Sequence, residues 1–203
     1  MKRLFLIRHG DTYATEHRLY YGASDLPVTE RGLDELAKYR ELYAELIPGP
    51  AKFFTTGMVR TEQTLEVLFG HDGIVPEHEV IPNFREINFG IFEMHAYDEL
   101  KDRPDYQAWI SGDYYANVPQ DGESFAEMED RISHEYVKLE HEWLMDKEYD
   151  DYVVVCHSGT IFTIMHRLFE TDMKNIYEWQ PKPGLGYIVK GIENRDFSYK
   201  NIG

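Results

Sequence analysis

The sequence predicts a three-layer α/β/α fold in which a doubly wound, mostly parallel sheet lies between two layers of helices. Residues 4–7 and 152–156 are short, continuous apolar runs, as expected for strands that are buried on both faces. Segments with apolar residues at helical spacing alternate with such runs, which is typical of parallel strands joined by right-handed crossovers. Histidine and glycine follow both runs within a few residues, at the position where open α/β sheets bind ligands.

The first half of the chain alternates between strand and helix patterns. After the strand at residues 4–7, residues 11–27 are polar, rich in tyrosine and broken by glycine and proline, which predicts a loop. Apolar residues then recur at helical spacing from a Thr29 cap to a stop at Pro48-Gly49-Pro50, and this pattern predicts the first crossover helix. The next predicted elements are a strand at 52–56, a helix at 59–69 and a short strand at 80–82.

The second half begins with residues 84–122, which carry few helix or strand signals apart from short helices near 97–100 and 106–110. We interpret this segment as an inserted, cap-like excursion over the site. The remaining predicted elements are a long amphipathic helix at 124–147, the strand at 152–156, a helix at 160–168 and edge strands at 186–189 and 197–199. The chain of 203 residues is therefore predicted to form a single domain, residues 1–203.

Charge and composition exclude several classes of partner. With 21 Lys and Arg against 37 Asp and Glu, the formal net charge is −16, so the overall field repels nucleic acids and anionic membrane surfaces. A single cysteine, Cys156, has no partner for an internal disulfide, which fits a reducing compartment. We find no apolar run long enough for a membrane span or a signal peptide, and we therefore expect a cytoplasmic protein.

Four side chains that can handle an anion are predicted to meet at one edge of the sheet. Arg8 and His9 follow the first strand, Arg60 begins the helix after the second strand, and His157 follows the strand at 152–156. These positions converge because the carboxyl ends of parallel strands lie at the same edge. Two arginines and two histidines gathered in an acidic protein indicate a small, doubly charged anion, for which a phosphate monoester is the best candidate.

His9 has the chemistry of a nucleophile in this setting. A neutral imidazole attacks phosphorus through one ring nitrogen while the other donates its proton to a fixed acceptor, which we expect to be a main-chain carbonyl in the Gly10 turn. Arg8 and Arg60 would orient the phosphoryl oxygens and stabilise charge in the transition state. His157 would donate a hydrogen bond to the transferring group.

Six motifs that include these residues follow one another in order along the chain. They are Leu6-Ile7-Arg8-His9-Gly10-Asp11-Thr12, Tyr21-Gly22 with Asp25-Leu26-Pro27 and Thr29-Glu30-Arg31-Gly32, Arg60-Thr61-Glu62-Gln63-Thr64, Arg85-Glu86-Ile87-Asn88-Phe89-Gly90, Gly122-Glu123-Ser124, and Val155-Cys156-His157-Ser158-Gly159. In order and spacing, from residue 4 to about residue 168, they resemble the motifs of the histidine phosphatase superfamily, in its phosphoglycerate mutase-like branch.

The resemblance implies a role for each matching position. His9 is similar to the nucleophile that becomes phosphorylated, Arg8 and Arg60 to the phosphate-binding arginines, and His157 to the second histidine that contacts the phosphoryl oxygens. Glu86 corresponds to the general acid that protonates the leaving oxygen and then activates water. The acid phosphatase branch instead uses an Asp directly after the second histidine, where this chain has Ser158. The remaining predicted substrate contacts are Thr15, Tyr21, Gly22 and Ser158.

Three positions depart from the pattern of the branch. Thr15 stands where Asn is common, six residues after the nucleophile, Asp11 replaces a more usual Glu, and Met94 follows Glu93 where glycine is common. None of these changes affects the five predicted catalytic residues. We therefore expect the departures to alter how the substrate is held.

The predicted function is a metal-independent phosphomonoesterase that hydrolyses a small phosphorylated metabolite through a phosphohistidine, with no cofactor. One alternative is a phosphoglycerate mutase-type transfer to another hydroxyl, and another is a non-catalytic module that binds phosphorylated ligands. The small number of basic residues in segment 84–122 favours hydrolysis. The resemblance leaves the substrate open among phosphosugars, phosphoglycerate, nucleotide-derived phosphates and cofactor precursors such as α-ribazole phosphate, and the oligomeric state is open as well.

Overall fold

A mixed sheet organises the computed structural model, which describes residues 1–113, 115–169, 179–191 and 196–203. Its strands are β1 (Lys2–Arg8), β2 (Ala51–Thr55), β3 (His78–Val80), β4 (Asp151–Cys156), β5 (Gly186–Gly191) and β6 (Phe197–Ile202). They lie in the order β3-β2-β4-β1-β5-β6. The first four of these are parallel, whereas β5 and β6 run antiparallel at one edge. The predicted α/β class with a mostly parallel sheet is confirmed.

The helices connect these strands. They are α1 (Tyr13–His17), α2 (Glu30–Lys38), α3 (Arg40–Leu46), α4 (Val59–Phe69), α5 (Tyr97–Leu100), α6 (Pro104–Ile110), α7 (Phe125–Met145) and α8 (Ser158–Phe169), with single 3₁₀ turns at Pro82–Phe84 and Gly90–Phe92. Among the described residues, no helix combines the length and the apolar character that a membrane crossing requires.

Alternation along β1 creates the two buried faces of the sheet. Leu4 and Leu6 point to one face, where they join a core with apolar residues of α7 and α8. Phe5 and Ile7 point to the opposite face and pack with residues of α2, α3 and α4. Because successive strand residues alternate in direction, a continuous apolar run needs a helical layer on each side. This packing is the predicted three-layer arrangement.

Three local predictions were wrong. The helix predicted from Thr29 to the Pro48 stop is two helices, because the Tyr39 N–H bonds to the Leu36 carbonyl, three residues back, and begins a new helix. The predicted loop 11–27 contains α1, which a reciprocal capping box at Thr12 begins. The third strand ends at Val80, and Pro82, which has no N–H for a sheet ladder, starts a 3₁₀ turn instead.

Segment 84–122 forms an aromatic cluster of its own outside the two sheet cores. Phe92, Leu100, Tyr106 and Trp109 are buried together. Tyr20, from the chain between α1 and α2, packs against this cluster and shares a hydroxyl hydrogen bond of 2.6 Å with Tyr106. The two predicted short helices appear as α5 and α6. Residue 114 lies outside the described residues, and the assignment of residues 1–203 to a single domain stays a prediction.

Met94 occupies a backbone conformation that favours glycine. Its φ is +63°, in the left-handed region where a Cβ crowds the backbone. Its N–H donates to the Tyr20 carbonyl at 2.7 Å, which holds segment 84–122 against the loop that carries Tyr20. The residue with this unfavourable backbone conformation is therefore also the one whose N–H joins the two segments.

We predict that Met94→Gly is more stable than Met94→Ala by about 1 kcal/mol, because both variants lose the side chain but only alanine keeps a Cβ at positive φ. Urea unfolding of the two variants measures the difference. Equal free energies of unfolding would show that the backbone at residue 94 is not strained.

Candidate active site

His9 and His157 lie side by side because they follow neighbouring strands. Arg8 at the end of β1 pairs in register with Cys156 at the end of β4, so the next residue on each strand is a histidine at the same height. Their ring centroids are 5.1 Å apart with an interplanar angle of 60°. His9 is 3% exposed and His157 is fully buried. The predicted convergence of the two histidines is therefore present.

The hydrogen bonds of His9 determine which ring nitrogen carries the proton. Nδ1 lies 2.8 Å from the Gly10 carbonyl, which can only accept, so Nδ1 carries the proton. Nε2 then holds an unshared electron pair. Burial first, and then the positive charges of Arg60 and Arg8, hold the pKa of His9 well below its ordinary value. The ring is therefore neutral at pH 7, as a nucleophilic imidazole must be.

His157 is neutral as well, and both of its ring nitrogens have hydrogen-bond partners. Its Nδ1 accepts from Nε of Arg60 at 3.3 Å, and its Nε2 lies 3.0 Å from the Thr56 hydroxyl. Because Nδ1 accepts, Nε2 carries the proton and donates to Thr56. Burial, followed by the positive charge of Arg60, holds the pKa of His157 well below its ordinary value. In this arrangement its one proton is directed to Thr56.

Arg60 is fully buried at the second residue of α4. Besides His157, its guanidinium donates to the carbonyls of Gly22 at 2.8 Å and Ser24 at 2.9 Å. The Tyr21 ring lies 5.1 Å from the guanidinium carbon. Burial lowers the pKa of Arg60, yet a guanidinium remains charged in proteins. A buried positive charge therefore stands beside both histidines.

Arg8 has a buried donor without a partner. One terminal nitrogen donates to the Pro181 carbonyl at 3.0 Å, but Nε is buried and has no acceptor among the described residues. Buried N–H groups are rarely left unpaired, since desolvation without a new hydrogen bond costs about 1–3 kcal/mol. This orphaned donor at the end of β1 is what an anion-binding site requires.

Hydrogen bonds to its carboxylate and to its main-chain carbonyl fix the position of Glu86. Its carboxylate accepts from the Gly159 N–H at 3.0 Å, at the start of α8, and from the Ile87 N–H at 3.0 Å. A Cβ at Gly159 would lie 2.2 Å from a Glu86 oxygen, so only glycine permits this approach. The Glu86 carbonyl accepts from Arg131 at 3.0 Å.

Arg131 was not among the predicted site residues. It forms a two-pronged ion pair with Glu123, with nitrogen–oxygen distances of 2.6 and 2.9 Å, and also donates to the carbonyls of Asn83 and Arg85. These contacts attach the chain that carries Glu86 to α7. Apart from Glu123, the partners of Arg131 are main-chain carbonyls 45 to 48 residues away, so the local sequence gives no signal for its contact with the chain that carries Glu86.

Glu93 also escaped the prediction. Its carboxylate accepts four main-chain N–H groups, those of Gly22 at 2.9 Å, Ala23 at 3.1 Å, Ser24 at 2.9 Å and Phe89 at 3.0 Å. The carbonyls of the same loop, residues 22–24, accept from Arg60, so the loop lies between a carboxylate and a guanidinium. The positive φ at the following residue, 94, accompanies this turn.

A cavity of about 400 Å³ opens at this site, and Tyr21, which lines it, lies 3.3 Å from Nε2 of His9; His9, Arg60 and His157 are not themselves among the lining residues. Of the predicted residues, Arg8, Thr15, Tyr21, Glu86 and Ser158 line it. Gly22 contributes main chain only, and a Cβ there would lie 1.7 Å from the Ile87 carbonyl oxygen. The structure thus brings all the predicted site residues into one region.

No group of three or more His, Cys, Asp or Glu side chains is placed to hold a metal ion within the parts of the chain that the structure describes. Cys156 is fully buried, and burial raises the pKa of its thiol. The polar side chains that line the cavity include Arg8, Arg18, Glu86, Ser158 and Gln180.

Neutral buried histidines predict a loss of stability in acid. Because the native pKa values of His9 and His157 are lowered, the unfolded chain binds more protons as the pH falls below about 6.5. The free energy of unfolding should then fall by up to about 1.4 kcal/mol per pH unit for each histidine. Urea unfolding at pH 7.5 and pH 5 should show a smaller loss for His9→Gln than for wild type. The exposed His134→Gln is the control, and equal losses in all three proteins would contradict the prediction.

Replacing the Glu93 carboxylate should weaken anion binding without unfolding the protein. In Glu93→Gln an amide nitrogen replaces one acceptor oxygen, and we expect inorganic phosphate to bind about 10- to 100-fold more weakly as the loop at 22–24 loosens. Calorimetric titration with phosphate measures this. Glu99→Gln is the matched control because Glu99 accepts a single main-chain N–H, that of Ala96. Equal affinities in the two variants would show that Glu93 does not support the site.

Comparison with known proteins identifies the family. The model of the histidine phosphatase superfamily (branch 1) matches residues 4–200. The adenosylcobalamin/alpha-ribazole phosphatase of Salmonella typhimurium is 28% identical over 186 residues, which cover 90% of this chain and 87% of that protein. A Yersinia pestis protein described as "Probable phosphoglycerate mutase GpmB" is 29% identical over 138 residues, or 65% of this chain and 60% of that protein.

A solved structure agrees at the level of the fold. The alpha-ribazole phosphatase from Shigella flexneri superposes with a TM-score of 0.84 at 24% identity and covers 98% of this chain and 95% of that chain. The family resemblance inferred from the motifs and the predicted phosphatase class are confirmed, whereas the roles of individual side chains stay predictions. Since the family model spans nearly the whole sequence, this chain belongs to the histidine phosphatase superfamily, branch 1.

Proposed function

We propose that this protein hydrolyses a small phosphomonoester in two steps through a phosphohistidine at His9. The observation that carries the proposal is the state of His9. Its ring is buried and neutral, the Gly10 carbonyl accepts the hydrogen bond from Nδ1, and Nε2 carries no proton and lies near two arginines, one of which has an unpaired donor. A nucleophile for phosphorus and donors for a phosphoryl group thus stand together.

In the first step, Nε2 of His9 attacks phosphorus, the N–P bond forms and the ester P–O bond breaks. Glu86 supplies the proton that the leaving oxygen takes up. In the second step, Glu86 accepts a proton from a water molecule whose oxygen attacks phosphorus, and the N–P bond breaks to release inorganic phosphate and neutral His9. Arg8 and Arg60 neutralise the charge of the transferring group throughout.

The lining of the cavity indicates what the leaving alcohol resembles. Most of the wall is aromatic or aliphatic, formed by Leu19, Tyr20, Ile87, Phe89, Tyr97, Phe125 and Phe162. Among the described lining residues the cations are Arg8, which we assign to phosphate, and the exposed Arg18. This wall suits a compact, ring-bearing alcohol better than the carboxylate of a phosphoglycerate, which favours hydrolysis over a mutase reaction.

α-Ribazole 5′-phosphate belongs to the class of ligand that this wall suits. Relatives that cover most of this chain are alpha-ribazole phosphatases, and we propose this compound as the first substrate to test. Assignment of the physiological substrate then depends on its kcat/KM relative to other phosphomonoesters.

The proposal predicts that wild type releases phosphate from α-ribazole 5′-phosphate and forms an acid-labile phosphoenzyme during turnover. His9→Ala should lose both activities by at least about a thousandfold, while His134→Ala, which removes an exposed histidine from α7, should keep them. Incubation with 3-phosphoglycerate distinguishes the mutase. Conversion to 2-phosphoglycerate without release of phosphate would contradict hydrolysis, and turnover by His9→Ala would contradict the nucleophile.

Glu86→Gln separates the acid role from phosphate binding. We expect its turnover of an alkyl phosphate to fall by about 10²- to 10⁴-fold, because the alkoxide leaving group needs a proton. Phosphoenzyme formation from p-nitrophenyl phosphate should fall much less, since p-nitrophenolate leaves without one. Equal losses on both substrates in rapid-quench experiments would assign Glu86 to positioning instead of proton transfer.

A further inference from the structure

The hydroxyl of Tyr21 lies within hydrogen-bonding distance of the proposed attacking nitrogen of His9. Its oxygen is 3.3 Å from Nε2, and the two rings meet edge to face with centroids 6.1 Å apart. Nε2 is the atom that the proposed function assigns to attack on phosphorus. A group that contacts Nε2 in the free enzyme is therefore placed to meet the phosphoryl group when it arrives.

The tautomer of His9 sets the direction of a series of hydroxyl hydrogen bonds. Because Nδ1 carries the proton, Nε2 can only accept, and the Tyr21 hydroxyl must donate to it. The Tyr21 oxygen then accepts from the Thr15 hydroxyl at 2.7 Å. Thr15 in turn accepts from the Thr12 hydroxyl at 3.1 Å, while the Thr12 oxygen accepts the Thr15 main-chain N–H at 3.3 Å. Each hydroxyl has one proton, and every proton in the series is directed toward His9.

The Tyr21 side chain is held from two sides. Thr15 fixes the hydroxyl end through a helix cap, since Thr12 and Thr15 form the reciprocal capping box that begins α1. The guanidinium of Arg60 lies 5.1 Å from the ring centroid, where a cation attracts the aromatic face. A hydroxyl fixed in this way loses little conformational freedom when it binds a ligand, which is the condition for a preorganised transition-state donor.

We propose that Tyr21 is a catalytic residue that donates its hydroxyl proton in a hydrogen bond to the transferring phosphoryl group, and that Thr15 is its positioning residue. The inference rests on the proposed phosphohistidine mechanism. When the substrate binds with its phosphorus facing Nε2, the Tyr21 hydroxyl gives up its hydrogen bond to Nε2. It then donates a hydrogen bond to a phosphoryl oxygen. No proton is transferred. Tyr21 adds a neutral donor to the charged donors of Arg8 and Arg60.

The test measures the rate of phosphoenzyme formation from p-nitrophenyl phosphate and inhibition by vanadate, which adopts the five-coordinate geometry of phosphoryl transfer. Tyr21→Phe removes the hydroxyl and keeps the ring beside Arg60. We expect its phosphoenzyme formation to slow about 10²-fold and its vanadate affinity to fall by a similar factor, with a wild-type melting temperature. Tyr13→Phe is the matched control, because Tyr13 is exposed on α1 and stacks on His17.

A double-mutant cycle tests the positioning role of Thr15. Thr15→Val should reduce the rate about tenfold in the wild-type background and have no further effect in Tyr21→Phe, because it acts through the hydroxyl that Tyr21→Phe lacks. Thr15→Ser, which keeps a hydroxyl, should restore the rate. Additive losses, or a loss in Thr15→Ser equal to that in Thr15→Val, would overturn the positioning role.

Failure of this inference can be distinguished from failure of the proposed function. If wild type and Tyr13→Phe form the phosphoenzyme and Tyr21→Phe forms it at the same rate with the same vanadate affinity, the role of Tyr21 is overturned while the mechanism stands. If wild type forms no phosphoenzyme from any phosphomonoester tested, the proposed function fails, and this inference fails with it.

Discussion

The buried guanidinium of Arg60 is the constraint on which the rest of the site depends. A charge without access to solvent is stable only when fixed acceptors surround it. The acceptors are carbonyls of the loop at residues 22–24 and the Nδ1 atom of His157. The N–H groups of the same loop bond to Glu93. The peptide unit between Gly22 and Ala23 therefore lies between a positive and a negative side chain, since its carbonyl accepts from Arg60 and its N–H donates to Glu93. Arg60, at the start of α4, thereby contacts His157 after β4 and is linked through the loop at residues 22–24 and Glu93 to segment 84–122.

The same charge determines the chemistry of the histidines. Burial and the nearby guanidinium groups disfavour imidazolium, so both rings are neutral in an enzyme that must bind a dianion. Each neutral ring has one nitrogen that donates a hydrogen bond and one that accepts. The fixed partners of His9 and His157 determine which nitrogen carries the proton. Around His9 this choice directs a row of hydroxyl protons to the reactive nitrogen. Around His157 the position of the proton on Nε2 directs it to the Thr56 hydroxyl.

Segment 84–122 contains both the proposed general acid and part of the cavity wall. Its beginning carries Glu86, which Arg131 attaches to α7, and its aromatic cluster packs against Tyr20 near the cavity wall. The general acid proposed here and part of the cavity wall, formed by Ile87, Phe89 and Tyr97, therefore belong to one folded segment. In a protein of net charge −16, the positive charge needed for phosphate is confined to a few arginines at the sheet edge.

The sequence by itself determined the α/β class, the helix at Val59–Phe69, and the family and predicted nucleophile, because apolar periodicity and the residues that follow buried strands are local signals. It did not determine the break at Tyr39 or the capping helix at Tyr13–His17, where hydrogen bonds decide between conformations of similar propensity. The sequence did not reveal the roles of Glu93 and Arg131, because Glu93 accepts from main-chain N–H groups and Arg131, apart from its ion pair with Glu123, donates to main-chain carbonyls, which every residue has. Only the tertiary structure placed the Tyr21 hydroxyl on His9, since that contact depends on a distance across a loop and on the proton position that Gly10 sets.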